Sequence, residues 1–423
     1  MSNMNILISG SGIAGSVFAF WLLRAYPNAS ITIVERSKSL RLTGASVDIR
    51  SSAADIIKWM NAEEEIRRNT TKEEGVHVVN ADDKPAGTIR ATGRTDIQSF
   101  TSEFEIFRGT LAKIFMDPIS ERVNIIYDEH IVHYEQRDEG VAVTFAKSKE
   151  TKIYDLLVAA DGYGSKIRGM MMNTTPQEHM FGQGVHVAYF SIKNDLLQGS
   201  RMARWYNTTN GRVIFLRPDP NPAGRTRAHF INVTAARDTK TKEKLDATMS
   251  EGNESYMRLL EETFSDAGWK AQEVLRGMRD SDDFYCSLFG QIRTPKIQDG
   301  RVALVGDSGY ATPGFGTSLA IIGGYVLAGE LLRSSGDVNV ALARYEAIVL
   351  PFVKSSQGGG DGGDTAMRLM NPQSWWGIKI RNLILGTVTG LRLDRVGMAI
   401  ASAVGIAERR VDFPDYRWPA ESE

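Results

Sequence analysis

Asn5-Ile6-Leu7-Ile8-Ser9-Gly10-Ser11-Gly12-Ile13-Ala14-Gly15, followed by an apolar run over 17–23 and then Ile31-Thr32-Ile33-Val34-Glu35-Arg36, decides the fold. A short apolar strand feeds a glycine-rich turn, the turn opens a helix, and Pro27-Asn28 breaks the chain before a second strand. That is a βαβ unit. Gly10 permits the tight turn, Gly12 lets backbone amides approach a pyrophosphate, and Gly15 lets the helix pack close to the strand. Ile13 and Ala14 start the helix, whose positive end suits phosphate. Glu35 ends the second strand twenty residues past Gly15, where a carboxylate can accept hydrogen bonds from an adenosine ribose; Arg36 follows it. A glycine triplet alone is weak evidence, but here both flanking strands are present.

The chain has 423 residues, enough for two domains or one large α/β unit. Its 50 basic and 51 acidic residues leave a formal charge of −1, which gives no electrostatic footprint for nucleic acid and favours a small neutral partner. Cys286 is the only cysteine, so an intrachain disulfide and a CxxC pair are excluded, and a cytoplasmic location is expected. The closest histidines, His130 and His133, fall on opposite faces of a strand, so no metal site is expected. No signal peptide is visible, because the first apolar stretch carries the glycine turn. Residues 383–404 hold Arg392, Asp394 and Arg395 in their middle, which disfavours a membrane span and fits an amphipathic helix; surface membrane association stays open.

Further along, the pattern predicts helices over 53–68, 109–115 and 242–268, and strands over 75–79, 86–89, 123–127, 131–136, 141–145, 154–159 and 301–305. Period-2 alternation over 184–235 predicts an antiparallel sheet inserted between parts of the nucleotide unit. A glycine-rich flexible loop is expected over 358–363 and an extended tail over 412–423.

Two more segments repeat the logic of the first. Asp155-Leu156-Leu157-Val158-Ala159-Ala160-Asp161-Gly162-Tyr163-Gly164-Ser165-Lys166-Ile167-Arg168 runs from an apolar strand into Asp161-Gly162, which read alone also fits an ordinary turn. Gly306-Asp307-Ser308-Gly309-Tyr310-Ala311-Thr312-Pro313-Gly314-Phe315-Gly316 follows another buried strand and leaves the next helix's N-terminus open. With the first motif, in this order, they resemble the FAD-dependent class A aromatic hydroxylases of the para-hydroxybenzoate hydroxylase fold. The resemblance covers residues 6 to 330. It departs from the family's commonest form at Tyr310, where a histidine is usual, and at Ser318, where an asparagine often stands.

The resemblance implies an α/β fold: a Rossmann-like FAD-binding domain of the GR2 type from 1–75, 106–176 and 286–345, an antiparallel-sheet substrate domain from 76–105 and 177–285, and a helical C-terminal segment over 346–423. It implies non-covalent FAD, NAD(P)H as a transient co-substrate, O2, and hydroxylation of an aromatic or polycyclic secondary metabolite such as a polyketide or alkaloid through a C4a-hydroperoxyflavin. Asp161 is implied to contact FAD and NAD(P)H, Gly306 and Asp307 the ribityl chain, and Pro313, Gly314 and Gly316 the flavin ring. Within the family the chain looks most like tetracycline-inactivating monooxygenases. That likeness implies roles for Arg41 toward NADPH, Asp48 toward flavin, Arg108 toward the ribityl region, and Tyr189, Arg204 and His229 toward substrate. Arg41 equally fits a solvated charge, and the three sheet residues equally fit ordinary sheet positions, with Arg204 in solvent. No catalytic base is assigned. The alternatives are an FAD oxidase or dehydrogenase and a non-enzymatic flavin-binding regulator. A tryptophan halogenase is disfavoured, since Trp375-Trp376 does not supply that group's Trp-x-Trp-x-Ile-Pro pattern.

Overall fold

The computed structural model describes residues 4–41, 44–90, 104–220, 225–357, 370–391 and 410–419. The predicted loop at 358–363 and the charges Arg392, Asp394 and Arg395 lie outside them, as do 91–103 of the expected substrate domain.

The βαβ unit forms as its residues require. Strand Asn5–Ser9 pairs in parallel with Ser30–Glu35 on one side and Leu156–Ala159 on the other. Asn124–Tyr127 and Val302–Leu304 extend the parallel sheet, and Gln298–Asp299 closes it antiparallel as the sixth strand. Strands buried on both faces need apolar side chains throughout, and Ile6, Leu7, Ile8, Leu156, Leu157 and Val158 are fully buried. Helix Ile13–Ala25 is apolar nearly all round because it sits between this sheet and helix Gly316–Arg333. Those two helices touch at Gly324, where a Cβ would lie 2.9 Å from the Phe18 nitrogen.

The second large sheet has seven strands in the order Tyr285–Ile292, Met180–Ile192, Thr226–Val233, Arg212–Pro218, Met202–Thr208, Gly75–Val79, Pro85–Arg90. The expected antiparallel alternation is present, with one difference: Gly75–Val79 joins Met202–Thr208 in parallel. The sheet also continues through Tyr285–Ile292, past the expected boundary at 286. That strand pairs with residues about a hundred positions earlier, so nothing local announces it. Helices Asn253–Phe264 and Ala271–Arg279 cover one face through Phe230, Tyr256, Leu260 and Phe264.

Three expected elements split for local reasons. The strand expected over 154–159 becomes Thr151–Tyr154 and Leu156–Ala159, in different sheets, because the Asp155 carboxylate accepts the Asn5 amide at 2.7 Å between them. The helix over 242–268 breaks at Gly252 (φ +113°) into Thr239–Glu251 and Asn253–Phe264. The helix over 53–68 breaks at Asn61 (φ +55°) into Ser52–Trp59 and Glu63–Arg68. The described part of the C-terminal tail is extended but packed. Trp418 donates its indole N–H to the Tyr325 hydroxyl at 3.1 Å, and its ring lies 4.5 Å from that of Trp21.

The two large sheets are joined through the small ribbon Ser46–Asp48 and Glu105–Phe107. Arg217, at the end of its strand, reaches that ribbon. It donates to Glu73 at 2.8 Å, and also to Glu105 and to the Ser46 hydroxyl. All three charged side chains are buried. Burial pushes the Glu73 carboxyl up to about 7 against the pull of Arg217, with Glu105 adding to the rise, while the two carboxylates hold Arg217 charged. Arg217→Ala should therefore cost about 3–5 kcal/mol by leaving two buried carboxylates without their cation. Urea denaturation followed by circular dichroism checks this; a loss below about 1 kcal/mol would contradict it.

Candidate active site

The three glycine-containing segments meet at the carboxyl ends of the parallel strands, where ligands bind in open α/β sheets. Gly10 turns at φ +107°, and a Cβ there would lie 2.4 Å from the Ala160 carbonyl oxygen. The first turn thus lies directly on the Asp161 segment. A Cβ on Gly15 would fall 2.2 Å from the Gly10 oxygen, so this helix approaches its turn closely enough to require glycine. Gly306 packs on Ala14, with an added Cβ only 3.0 Å from the Ala14 Cβ. Arg168, fully buried, ties the second segment to the third by donating to the carbonyls of Ser308 (2.8 Å), Tyr163 (2.9 Å) and Pro176 (2.6 Å).

Glu35 accepts the Ser11 amide at 3.1 Å, the Ser11 hydroxyl at 3.0 Å and the Ser37 amide at 2.9 Å. Burial alone would raise its pKa, but these hydrogen bonds leave it below the ordinary carboxylate value. The group is therefore ionised and fixed at the lip of the glycine turn. Arg36 and Arg41 are exposed, with the Arg41 guanidinium 3.4 Å from the Ser37 hydroxyl. Asp48 is paired with Arg50 at 2.7 Å, and the Arg50 amide donates to Ser318 at 2.9 Å, so Ser318 braces the ribbon. Arg108 opens its helix, donates its amide to the Ala45 carbonyl at 3.0 Å, and places its guanidinium 3.6 Å from Asp307.

These residues suit a dinucleotide cofactor. A Cβ on Gly12, Gly162, Gly164 or Gly314 would meet no atom within 4 Å, so backbone faces open space at several points of the cleft. Asp161 Oδ1 is buried with no hydrogen-bond partner among the described residues. Burial pushes that carboxyl up to about 6 against an opposing pull from Ser165, the signature of a group awaiting a donor. The Gly316 position lies against Asp307, an added Cβ being 3.1 Å from Asp307 Oδ1, while Gly314 turns at φ +75° with open space beside it. Tyr310 takes no part. It is buried behind the cleft, its hydroxyl 2.9 Å from that of Tyr345, which donates to the Leu304 carbonyl. Another open groove, lined by Asn5, Thr32 and Tyr154, contains none of the motif residues.

Opposite the cleft, one face of the seven-stranded sheet carries an aromatic row set by register: Trp205 opposite Phe215, Phe215 opposite His229, His229 opposite Tyr189, Tyr189 opposite Tyr285. Tyr189 and Tyr285 stack 4.7 Å apart at 7°, and Tyr189 meets His229 edge-on at 4.9 Å. The Tyr285 hydroxyl accepts the Ala45 amide at 2.6 Å. Tyr285, Ala45, Arg108 and Asp307 thus form a continuous bridge from the aromatic face to the third motif.

Arg204 does not belong to this face, which corrects the expectation that it shares a pocket with His229. It is register-paired with His77 and Leu216, on the side covered by helices, and its guanidinium lies 3.7 Å from Asp83. Side chains alternate along a strand, so the Trp205 neighbour that faces the cleft excludes Arg204 from it. Arg217, Tyr285 and Arg168 were not singled out from sequence. Arg168 ends the second motif, where an arginine three residues after a glycine-containing turn was a usable signal; the other two act through non-local pairing.

Burial drives the His229 imidazole down to about 3, with Arg217 and Arg227 adding to the effect, and pushes the Tyr189 phenol up to about 12. Both are uncharged at neutral pH.

No family model matches the chain. It is 33% identical over 388 residues to the monooxygenase CTB7 of Cercospora beticola, covering 89% of this chain and 90% of that one. It is 31% identical to the flavin-dependent monooxygenase eupH of a Phoma species, with 98% of each covered. Among solved structures, the tetracycline destructase Tet(51) superposes with a TM-score of 0.75 at 27% identity, over 98% of this chain and 100% of that one. Klebsiella pneumoniae HpxO, solved with FAD and uric acid, shares the fold at 16% identity and a TM-score of 0.65, over 96% and 97%. A mixed α/β fold with a glycine-lined cleft facing an aromatic sheet is that of a flavoprotein oxygenase. The chain belongs to the FAD-dependent monooxygenases, and it is an enzyme.

The His229 shift has a consequence for stability. The folded pKa lies below the unfolded value of about 6.5, so the unfolded chain takes up a proton that the folded chain refuses. The contribution is complete above pH 6.5 and is lost as pH falls toward 3, with roughly 2 kcal/mol gone at about pH 5. His229→Phe should flatten the fall in urea midpoint between neutral pH and about pH 5; equal slopes in both proteins would refute it.

Proposed function

We propose that the enzyme is a single-component monooxygenase using NAD(P)H and O2 to hydroxylate an aromatic or polycyclic metabolite laid against the Tyr189–His229 face. The observation that carries this reading is the bridge Tyr285–Ala45–Arg108–Asp307, which fixes an aromatic surface opposite the glycine-lined cleft. The tetracycline destructase neighbour supports a polycyclic substrate, a polyketide or alkaloid being the class in view.

In this reading the six-stranded sheet belongs to a Rossmann-like FAD domain of the GR2 type, built from the chain before Gly75, 106–176 and the chain after Ile292 to 345. The seven-stranded sheet, 75–90 and 177–292, is the inserted substrate domain, and the remaining helices form the C-terminal segment. Gly10, Gly12, Ile13, Ala14 and Gly15 hold the pyrophosphate at the helix N-terminus. Glu35 and Arg36 hold the adenosine end; Asp161 supplies the waiting acceptor. Gly306, Asp307 and Arg108 hold the ribityl region, with Asp48, Pro313, Gly314 and Gly316 around the ring. Arg41, exposed at the rim, meets NAD(P)H. When bound, FAD would accept the electrons of NAD(P)H and activate O2 for oxygen transfer.

The protein's own part is orientation and exclusion of water. A histidine with a pKa of about 3 is a poor base, since taking a proton from a phenol near 10 would be uphill by about seven pH units, on the order of 10 kcal/mol. His229 therefore hydrogen-bonds and orients the substrate, and Tyr189, which keeps its proton, acts as a donor. A cytoplasmic setting fits a chain whose only cysteine is a free thiol.

The decisive experiment supplies labelled O2. Aromatic and polycyclic compounds that stimulate NAD(P)H oxidation should yield a product carrying one labelled oxygen atom. Substrate oxidation without incorporation would point instead to an oxidase or dehydrogenase.

Asp307→Ala should weaken FAD retention by on the order of 1 to 3 kcal/mol through loss of a partly buried acceptor. Arg41→Ala should keep FAD and slow flavin reduction by NAD(P)H. Flavin fluorescence titration and anaerobic stopped flow separate the two, and equal FAD loss in both variants would refute the division.

His229→Ala should raise KM or divert NAD(P)H to hydrogen peroxide, because a misplaced substrate loses near-attack geometry. Arg204→Ala, on the far face, should leave KM and coupling unchanged. Product and peroxide per NAD(P)H consumed decide the matter; parallel effects would return Arg204 to the pocket.

A further inference from the structure

Helix Trp375–Gly390 is built inside out. It lies along strand Pro85–Arg90, with Leu385 against Gly87 and Gly386 against the Ala86 carbonyl. Its inward face buries Arg381, whose guanidinium donates to the Met370 carbonyl at 2.7 Å. Its outward face presents Trp376, Ile380, Leu383 and Ile384, with Leu391 just past the helix end, and each is at least half exposed; Leu383 reaches 72%. The spacing of 4, 3, 1 and 7 residues keeps them on one stripe of a 3.6-residue helix. Among the described residues, eleven large apolar side chains are exposed, and six of them, Trp375 included, lie on this helix and its end. Thr387 also lies on the stripe, but its hydroxyl donates to the Leu383 carbonyl at 2.8 Å and so does not need water.

A helix that turns its arginine inward and leaves Trp376, Ile380, Leu383 and Ile384 outward is matched to an apolar medium outside. We infer that this helix docks the enzyme on an anionic phospholipid surface, lying in the interface plane. The helix is about 24 Å long, and among the described residues no helix is long and apolar enough to cross a membrane. Two adjacent tryptophans at its first turn have the amphipathic rings that settle at headgroup level. Charge selects lipid over a second copy of the chain. Between Trp375 and Leu391 there is no acidic residue, and the exposed cation Lys379 sits 4.9 Å over the Trp375 ring. Exposed Lys84 and Arg90 flank the strand beneath. Two copies facing each other along this stripe would offer one another cations but no carboxylate from the helix to answer them. Anionic headgroups supply that answer, and apolar area plus headgroup attraction is what holds interfacial helices. This inference stands apart from the substrate proposed above.

The test is flotation of the FAD-loaded full chain with vesicles of phosphatidylcholine alone and of equimolar phosphatidylcholine and phosphatidylglycerol. Binding is expected to the mixed vesicles, weaker in high salt and on the neutral ones. Leu383→Glu combined with Ile384→Glu should lower partitioning by at least about tenfold, with FAD content unchanged because neither residue touches the cleft. Lys379→Glu should reduce the preference for the anionic vesicles. A measurement on the unaltered protein keeps the test independent of variant folding: brominated lipid should quench tryptophan fluorescence. Absence of flotation and quenching would overturn the inference. So would a concentration-dependent dimer that the double variant abolishes, since that would make the stripe a contact between copies.

Discussion

Arg217 is the constraint on which the rest of the molecule depends. Its guanidinium lies between Glu73 and Glu105, so it joins the seven-stranded sheet to the ribbon that carries Ser46 and Asp48 and leads into Arg108. A buried ion triad of this kind is poor evidence for net stability, because desolvating three charges offsets most of their attraction. Its value is geometric. An apolar contact would tolerate sliding of one sheet on the other, whereas a guanidinium shared between two carboxylates and a hydroxyl has one position that satisfies all of them. With that position fixed, Tyr285 meets Ala45 and Arg108 meets Asp307.

Strand register then carries this fixed point across the molecule. Trp205, Phe215, His229, Tyr189 and Tyr285 occupy one line perpendicular to five strands, so their order is set by backbone pairing. A one-residue slip anywhere would turn part of the row to the helix-covered side. The same parity places Arg204 with His77 and Asp83, away from the cleft.

The parts of the fold that sequence made legible are those whose cause is local. The glycines at 10, 12 and 15, the apolar strands and the turn residues after them act within a dozen positions, and all three motifs come together in the structure. Alternation over 184–235 disclosed a sheet but not which face of it is covered, and that ambiguity misplaced Arg204. Tyr285 was hidden because its strand has no partner nearby in sequence, and Arg217 because its carboxylates lie more than a hundred residues away. The breaks at Asn61 and Gly252 were local, yet a helical pattern on both sides concealed them.

The charges around His229 show what the aromatic face can recognise. Arg217 and Arg227 both depress its pKa, which at first suggests a cationic pocket suited to an anionic substrate. Each arginine, however, is already matched. Arg217 has Glu73 and Glu105, and Arg227 has Asp219 at 3.0 Å and Asp283 at 3.1 Å. Little positive field is left over, which agrees with burial being the largest cause of the His229 shift. An anion placed there would lose its hydration and find the nearby guanidiniums committed elsewhere. A neutral planar ring system loses little on leaving water and gains stacking against Tyr189 together with hydrogen bonds from groups that stay uncharged. The face therefore selects by shape and aromatic contact, and the charges beside it serve to hold the sheet in place.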